Sequence, residues 1–179
     1  MDRTDLKILG LLQEDASLSV AEIAARVHLS QTPCWRRIQR LEAEGVITRR
    51  VALVDPEAIG LGLTVFVAVE AADHSAEWLS AFADLVSALP EVMDVYRMAG
   101  DVDYLLRVVV GSMTEYDDFY RRLIATPSIK NVTSRFAMEQ VKASTAYPLT
   151  HAASRPARRR PAAEDRGEGK ALSGDSDAP

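Results

Sequence analysis

The sequence is poor in the residues on which most catalytic and metal sites depend. It has one cysteine, Cys34, and three histidines among 179 residues. A single cysteine cannot form an intrachain disulfide or a cysteine-rich metal site. The chain also lacks a glycine-rich phosphate loop and any pattern of nucleophile and base. We therefore predict no catalytic residues, no metal and no cofactor, and a protein that is not an enzyme.

Long apolar runs are absent as well. No run approaches the roughly 20 residues that cross a bilayer, and the acid-bearing N-terminal segment MDRTDLKILG lacks the pattern of a secretory signal. We therefore expect a cytoplasmic protein without a membrane partner.

Charge is unevenly distributed around a net value of −5. Residues 1–50 carry 8 Lys/Arg and 7 Asp/Glu, a balance of +1, whereas residues 51–150 carry 7 against 14, a balance of −7. The acidity belongs to the middle of the chain, so a small first domain can still present a basic face to DNA.

The first fifty residues predict three helices and a strand. Apolar residues recur at helical spacing between Asp5 and Glu14, and Ser19 to Glu22 has the form of a capping box. A third helix begins near Ser30 and ends at Gly45, and residues 46–53 alternate like a strand. This order predicts a winged helix-turn-helix domain over residues 1–50.

The remaining chain predicts a linker, a second domain and a tail. Residues 51–62 contain a proline and two glycines, a composition that is typical of a linker or hinge. Strands are predicted at 63–69, 92–98, 104–110 and 132–141, with helices at 75–89 and 113–125. The order β-α-β-β-α-β predicts a ferredoxin-like domain over residues 63–148, hence an α+β protein. Residues 149–179 have the composition of a disordered tail.

The third helix has one apolar stripe and one polar face. Cys34, Ile38 and Leu41 fall on the stripe at about 100° per residue, so Cys34 is expected to be a buried, small apolar side chain. Arginine and glutamine on the opposite face have the donors that base edges and phosphates need. The residues predicted to contact DNA are Ser30, Gln31, Thr32, Arg36, Arg37, Gln39, Arg40 and Arg49.

Two residues of this helix have competing interpretations. Arg37 lies at the edge of the stripe, where it could be paired with a carboxylate such as Glu42 or Glu44. Trp35 could stack against DNA, but an aromatic side chain more often packs on a neighbouring element, and this is what we expect.

The hairpin loop GDVDY carries two aspartates, Asp101 and Asp103, between two predicted strands. The pair could hold a divalent metal in an enzyme, bind the amino group of a ligand, or cap the turn by accepting backbone N–H groups. No histidine lies near it in the sequence, which weakens the case for a metal. A further alternative is that the first domain binds another protein rather than DNA.

The chain resembles the Lrp/AsnC family of bacterial transcription regulators. The resemblance rests on LSQTP followed by RRIQRLEAEGVI, on VALVDPEAIGLGL and on GDVDYLLRV, and it covers residues 1 to about 148. It implies a regulator that binds double-stranded DNA and an amino-acid effector, and a homodimer that assembles to a tetramer or octamer with effectors between the dimers. The implied effector residues are Arg97, Met98, Gly100, Asp101, Asp103, Tyr104, Thr133 and Ser134.

Within that family, three segments resemble the subgroup that activates cysteine detoxification. They are TPCWRR, YRMAGDVDYLLRV and SRFAMEQVK. The resemblance implies cysteine as one candidate effector and leaves branched-chain and other amino acids open.

Overall fold

The computed structural model describes residues 1–125 and 129–149. These residues form two compact units, one comprising Met1–Arg49 with the described residues from Thr145 onward, the other Arg50–Ser144. Each unit has its own cluster of buried apolar side chains. The sequence therefore supplies two separate cores.

The first unit contains the helix-turn-helix that the sequence predicted. Its helices are α1 (Arg3–Glu14), α2 (Val20–Arg26) and α3 (Gln31–Ala43). Capping boxes begin α1 and α2, where the side chains of Asp2 and Ser19 each accept the backbone N–H three residues later. Between α2 and α3 the chain turns at His28, which has a positive φ of 57°.

The predicted strand over residues 46–53 is wrong, because these residues form no strand in the structure. The backbone N–H groups of Val46 and Ile47 instead donate to the Leu41 carbonyl, at 2.9 and 3.1 Å, and so finish α3. A strand is held by a ladder of backbone hydrogen bonds to a partner. Alternating side chains do not supply that partner, and the first strand of the described chain begins at Leu63.

The second unit has the ferredoxin-like order of elements. They are β1 (Leu63–Ala71), α4 (Ala76–Ala88), β2 (Val92–Arg97), β3 (Tyr104–Val110), α5 (Met113–Ile124) and β4 (Ile129–Phe136). The strands lie in the order β2-β3-β1-β4, and each neighbouring pair is antiparallel. This arrangement confirms the predicted α+β fold.

Both helices cover the same face of the sheet. Val65, Val67 and Val69 alternate along β1 and share one buried cluster with Phe82 of α4 and Phe119 of α5. Side chains on the alternate positions lie on the opposite face, which the described helices leave open. They include the exposed rings of Phe66 and Tyr96, and an ion pair of 2.6 Å between Arg107 and Asp94.

The last strand ends earlier than predicted. β4 stops at Phe136, which pairs with Val65, and the Ala137 N–H makes one more bond to the Thr64 carbonyl at 3.0 Å. The predicted continuation to Val141 is wrong because β1 begins at Leu63 and offers no further partner.

A short C-terminal segment, residues 145–149, belongs to the first unit. The Tyr147 N–H donates to Oε1 of Gln13 at 2.8 Å, and Nε2 of Gln13 donates to the Tyr147 carbonyl at 3.3 Å. Leu149 packs against the core of the first unit, near Gly10 of α1. The sequence had placed residues up to 148 in the second domain and Leu149 in a disordered tail. Local composition did not reveal this contact, and residues 150–179 lie outside the described residues.

Candidate DNA-reading and effector sites

The inward stripe of α3 fixes which side chains face outward. Cys34, Ile38 and Leu41 are at most 2% exposed and pack in one cluster with Ile8 and Ile23. Burial raises the pKa of the Cys34 thiol, so the thiol stays protonated and acts as a small apolar side chain, as predicted. With this stripe held by the other two helices, the polar face of α3 has a defined orientation.

Two of the arginines on α3 are bound to the N-terminal end of α1. Asp5 is 1% exposed and accepts from Arg37 at 2.7 Å and from Arg40 at 2.6 Å. Arg37 also reaches Asp2 at 2.6 Å, and Arg40 lies 3.9 Å from Glu44. The expected partners of Arg37, Glu42 or Glu44, were wrong. Sequence reasoning did not predict this role for Asp2 and Asp5.

The pKa values within this network follow from its hydrogen bonds. The Asp5 backbone N–H and then the Arg37 guanidinium lower the pKa of Asp2 to about 2. Hydrogen bonds to the two aspartates raise the pKa of Arg37. These charge-assisted hydrogen bonds hold Arg37 and Arg40 toward α1.

The N-terminal half of α3 has the most available polar groups. Ser30 is the N-cap residue of α3 but makes no capping hydrogen bond with its side chain, and Gln31, Thr32 and Arg36 are exposed. Across the described ranges 1–125 and 129–149, no carboxylate forms an ion pair with Arg36. The structure therefore brings Ser30, Gln31, Thr32 and Arg36 together.

The other predicted DNA contacts are placed differently. Gln39 is exposed but donates to Glu42 at 2.9 Å. Arg49 is exposed and follows α3 in the segment that is not a strand. The expectation for Trp35 was wrong, because its side chain is 51% exposed instead of packed on a neighbour.

The hairpin between β2 and β3 holds its two aspartates in different environments. The Asp103 carboxylate accepts the Ala71 N–H at 2.8 Å, and its own N–H donates to the Val69 carbonyl at 3.0 Å. Asp103 therefore ties the loop to β1, a neighbouring strand, rather than capping only its own turn. Asp101 is exposed, and Gly100 has a φ of +141°, a conformation that favours glycine.

The remaining predicted effector residues are distributed around that end of the sheet. Arg97 and Met98 are exposed beside the loop. The Tyr104 ring packs under α4, with its centroid 4.7 Å from that of Phe82. β3 and β4 are separated by β1, which places them about 10 Å apart.

Thr133 and Ser134 lie on opposite faces of β4. Ser134 is hydrogen-bonded to the Tyr116 hydroxyl on the helix side, where burial raises the pKa of Tyr116. Thr133 pairs in register with Ala68 and faces the open side of the sheet. The structure thus places Thr133, but not Ser134, on the open face.

The described residues show no cluster of three or more His, Cys, Asp or Glu that could hold a metal ion. Among the described helices, none combines the length and apolar character that a membrane crossing requires.

A helix-turn-helix unit followed by a ferredoxin-like sheet domain is the architecture of a DNA-binding transcriptional regulator with a ligand-binding domain. Family models agree, since a winged helix-turn-helix DNA-binding model matches residues 1–48 and the Lrp/AsnC ligand binding domain matches residues 64–147. The chain belongs to the Lrp/AsnC family.

Two curated relatives support this assignment. The chain is 49% identical over 150 residues to the DNA-binding transcriptional activator DecR of Escherichia coli K12, covering 83% of this chain and 99% of that protein. It is 49% identical to the glutamate uptake regulatory protein of Zymomonas mobilis, over 83% of this chain and 91% of that protein. These relatives are regulators, which confirms the expectation of a regulator rather than an enzyme.

Solved structures are similar over the same region. An AsnC family transcriptional regulator from Agrobacterium tumefaciens is 58% identical with a TM-score of 0.81, covering 83% of this chain and 97% of that one. A transcriptional regulator from Neisseria meningitidis in complex with L-Met is 34% identical with a TM-score of 0.81, covering 85% and 99%.

Proposed function

We propose that this regulator responds to an amino acid bound beside the Gly100–Asp103 hairpin. The observation that carries the proposal is the difference between the environments of the two aspartates. Asp103 is occupied with the Ala71 N–H, whereas Asp101 presents an exposed carboxylate. A carboxylate is a strong partner for an α-ammonium group because the hydrogen bond is charge-assisted. The Neisseria relative solved with L-Met supports this class of ligand.

The other residues of the effector site have supporting roles. Gly100 allows the backbone to approach a ligand, and Arg97 is a candidate partner for the ligand carboxylate. Met98 and Thr133 supply apolar and hydroxyl contacts on the open side, while Tyr104 and Ser134 hold the site from the helix side. Cysteine is the first candidate ligand, because the segments TPCWRR, YRMAGDVDYLLRV and SRFAMEQVK resemble the subgroup that activates cysteine detoxification.

DNA reading is assigned to the N-terminal half of α3. In helix-turn-helix proteins the first residues of the second helix contact base edges. Gln31, Thr32 and Arg36 are therefore the candidate base contacts, with Ser30 and Arg49 directed to phosphates. A neighbouring side chain binds each of Arg37, Gln39 and Arg40. We therefore assign these three residues to supporting α3 or to contacts with the DNA backbone.

Assembly is assigned to the open face of the sheet. Phe66 is 38% and Tyr96 is 55% exposed there, and a second copy of the face would bury both rings. We propose a homodimer that forms a tetramer or octamer and that acts in the cytoplasm, where the chromosome is. Sedimentation of Phe66→Glu, with Met138→Glu as an exposed control, tests the face. If Phe66→Glu sediments with the same assembly mass as the parent protein, this assignment of the face is contradicted.

Thermal shift with each of the twenty amino acids tests the effector assignment. A ligand at 100 times its Kd stabilises the folded state by about 2.7 kcal/mol. Reduced cysteine is expected to raise the Tm of the parent protein and not that of Asp101→Asn. Asp117→Asn, a surface carboxylate on α5, is the matched control and should respond like the parent. Equal stabilisation of Asp101→Asn and the parent would overturn the role of Asp101.

A DNA-binding experiment tests the α3 assignment separately. Footprinting on the promoter beside the gene locates the operator, and Arg36→Ala is then compared with the parent on that site. Loss of specific binding with unchanged sedimentation is expected. Unchanged operator affinity would show that α3 does not read the operator through Arg36.

A further inference from the structure

Trp35 is an exposed aromatic residue on the helix assigned to DNA reading. Its side chain is 51% exposed, and among the exposed large apolar residues of the described chain it is the one that lies within α1, α2 or α3. At helical spacing its neighbours on the surface of α3 are Gln31, Thr32 and Gln39. Trp35 therefore borders the candidate base contacts rather than the core.

The charged and polar side chains around Trp35 limit the chemical class of ligand that this face of α3 can bind. Arg37 and Arg40 are turned toward Asp2 and Asp5, on the other flank of α3, and Gln39 is bound to Glu42. The surface nearest Trp35 thus combines an apolar ring with Thr32 and with Arg36, whose guanidinium has no ion-pair partner within the described residues. Such a surface matches a ligand that carries an apolar group beside hydrogen-bond acceptors.

In the major groove of DNA, the apolar group is the 5-methyl of thymine and a frequent acceptor pair is O6 and N7 of guanine. We propose that Trp35 contacts a thymine methyl group in the operator, next to the base that Arg36 reads. Indole has one polar group, an N–H donor, so its contribution is mainly apolar contact. This inference rests on the proposal that α3 reads DNA.

Single substitutions of thymine by uracil in the operator test the contact, because each removes one methyl group and keeps base pairing. Burial of one such carbon group corresponds to about a fourfold change in affinity. The affinity of the parent protein for the operator should fall about fourfold when one particular thymine in each half-site is replaced by uracil. Trp35→Ala should bind the operator more weakly than the parent, and replacing that thymine by uracil should not lower its affinity further. Trp35→Phe should keep part of the loss of affinity on uracil substitution.

Three results would overturn the inference. Trp35→Ala could keep the full sensitivity to uracil at every position. It could lose affinity equally for operator and random DNA, which indicates a backbone contact. It could also bind DNA normally and change the sedimentation of the protein, which indicates a protein partner. Because the side chain is exposed, far-ultraviolet circular dichroism should show a folded protein in each case.

Arg36→Ala separates failure of this inference from failure of the proposed function. Suppose that Arg36→Ala no longer binds the operator while the affinity of Trp35→Ala still falls on uracil substitution. Then α3 reads DNA, and only the thymine contact is wrong. If both variants bind the operator like the parent, the assignment of α3 itself is wrong.

Discussion

Arg40 on α3 donates to the buried carboxylate of Asp5 on α1 over 2.6 Å. An arginine that the sequence assigned to DNA is therefore also a partner of the protein's own first helix. Because Asp5 binds Arg37 as well, one carboxylate holds two side chains of α3. The position of α3 and the charge on its outer face are thus linked.

Asp5→Asn is expected to lower the free energy of unfolding of the first unit by about 1.5–3 kcal/mol, the contribution of a hydrogen bond to a charged group. Urea unfolding followed by circular dichroism measures this loss. Glu44→Gln, which changes an exposed partner of Arg40 at 3.9 Å, is the matched control and should cost under about 1 kcal/mol. Equal losses in the two variants would contradict the importance of burial at Asp5.

The same variant is expected to change DNA binding. With its carboxylate neutralised, Arg40 can turn toward a phosphate, and each new phosphate contact steepens the dependence of log Kd on log salt by about 0.9. Titrations at several salt concentrations measure that slope. A slope identical to that of the parent would mean that Arg40 stays on α1.

Stability should depend on pH through Asp2. Its folded-state pKa is lowered from 3.8 to about 2, so its contribution is complete above pH 3.8 and is lost as the pH falls toward 2. Because the carboxylate is more than half exposed, solvent screening limits the contribution to about 1 kcal/mol or less. Asparagine also caps helices well, so Asp2→Asn removes the charge and keeps the cap.

Urea unfolding of the parent and of Asp2→Asn between pH 2 and pH 5 tests this prediction. The difference in stability between the two proteins should shrink as the pH falls and should be mostly lost near pH 2. A difference that stays constant over this range would show that the charge of Asp2 is not responsible.

Asp103→Ala should loosen the hairpin at the end of β1. The variant leaves the Ala71 N–H without its acceptor, at a cost of about 1–3 kcal/mol. Faster hydrogen exchange of the Ala71 amide is the direct readout. Asp103→Asn keeps an acceptor oxygen and should exchange more slowly than Asp103→Ala, and Asp101→Asn should leave this amide unchanged.

Leu149→Ala should destabilise the first unit by about 1 kcal/mol, because a half-buried leucine contributes roughly half of its full burial energy. Thermal unfolding measures the loss. Met138→Ala, at a fully exposed position of the second unit, is the control and should have no effect. Equal Tm values for the parent and Leu149→Ala would contradict the packing of this segment on α1.

Sequence reasoning succeeded where a pattern repeats within one element. The helical spacing of Cys34, Ile38 and Leu41 predicted the buried stripe of α3, and the order of elements after Leu63 predicted the second fold. It failed at the segment 46–53 and beyond Phe136, where strand formation depends on a partner strand. Periodicity describes one element and contains no information about its partner.

Parts of the candidate sites could not be predicted for a similar reason. Asp5 and Arg37 are 32 positions apart, and so are Ala71 and Asp103. Sequence reasoning offered Glu42 or Glu44 as the partner of Arg37, and both lie within the same stretch of chain. Only the packing of α1 on α3, and of the hairpin on β1, brings the actual partners together.

The return of residues 145–149 to α1 has a consequence for biosynthesis. A nascent chain emerges from the ribosome N-terminus first, so α1, α2 and α3 are available long before Tyr147 and Leu149 are made. The apolar surface near Gly10 therefore stays uncovered until the whole second unit has been translated. A fragment cut after Arg49 would keep α1, α2 and α3 but lack the residues 145–149 that pack on α1.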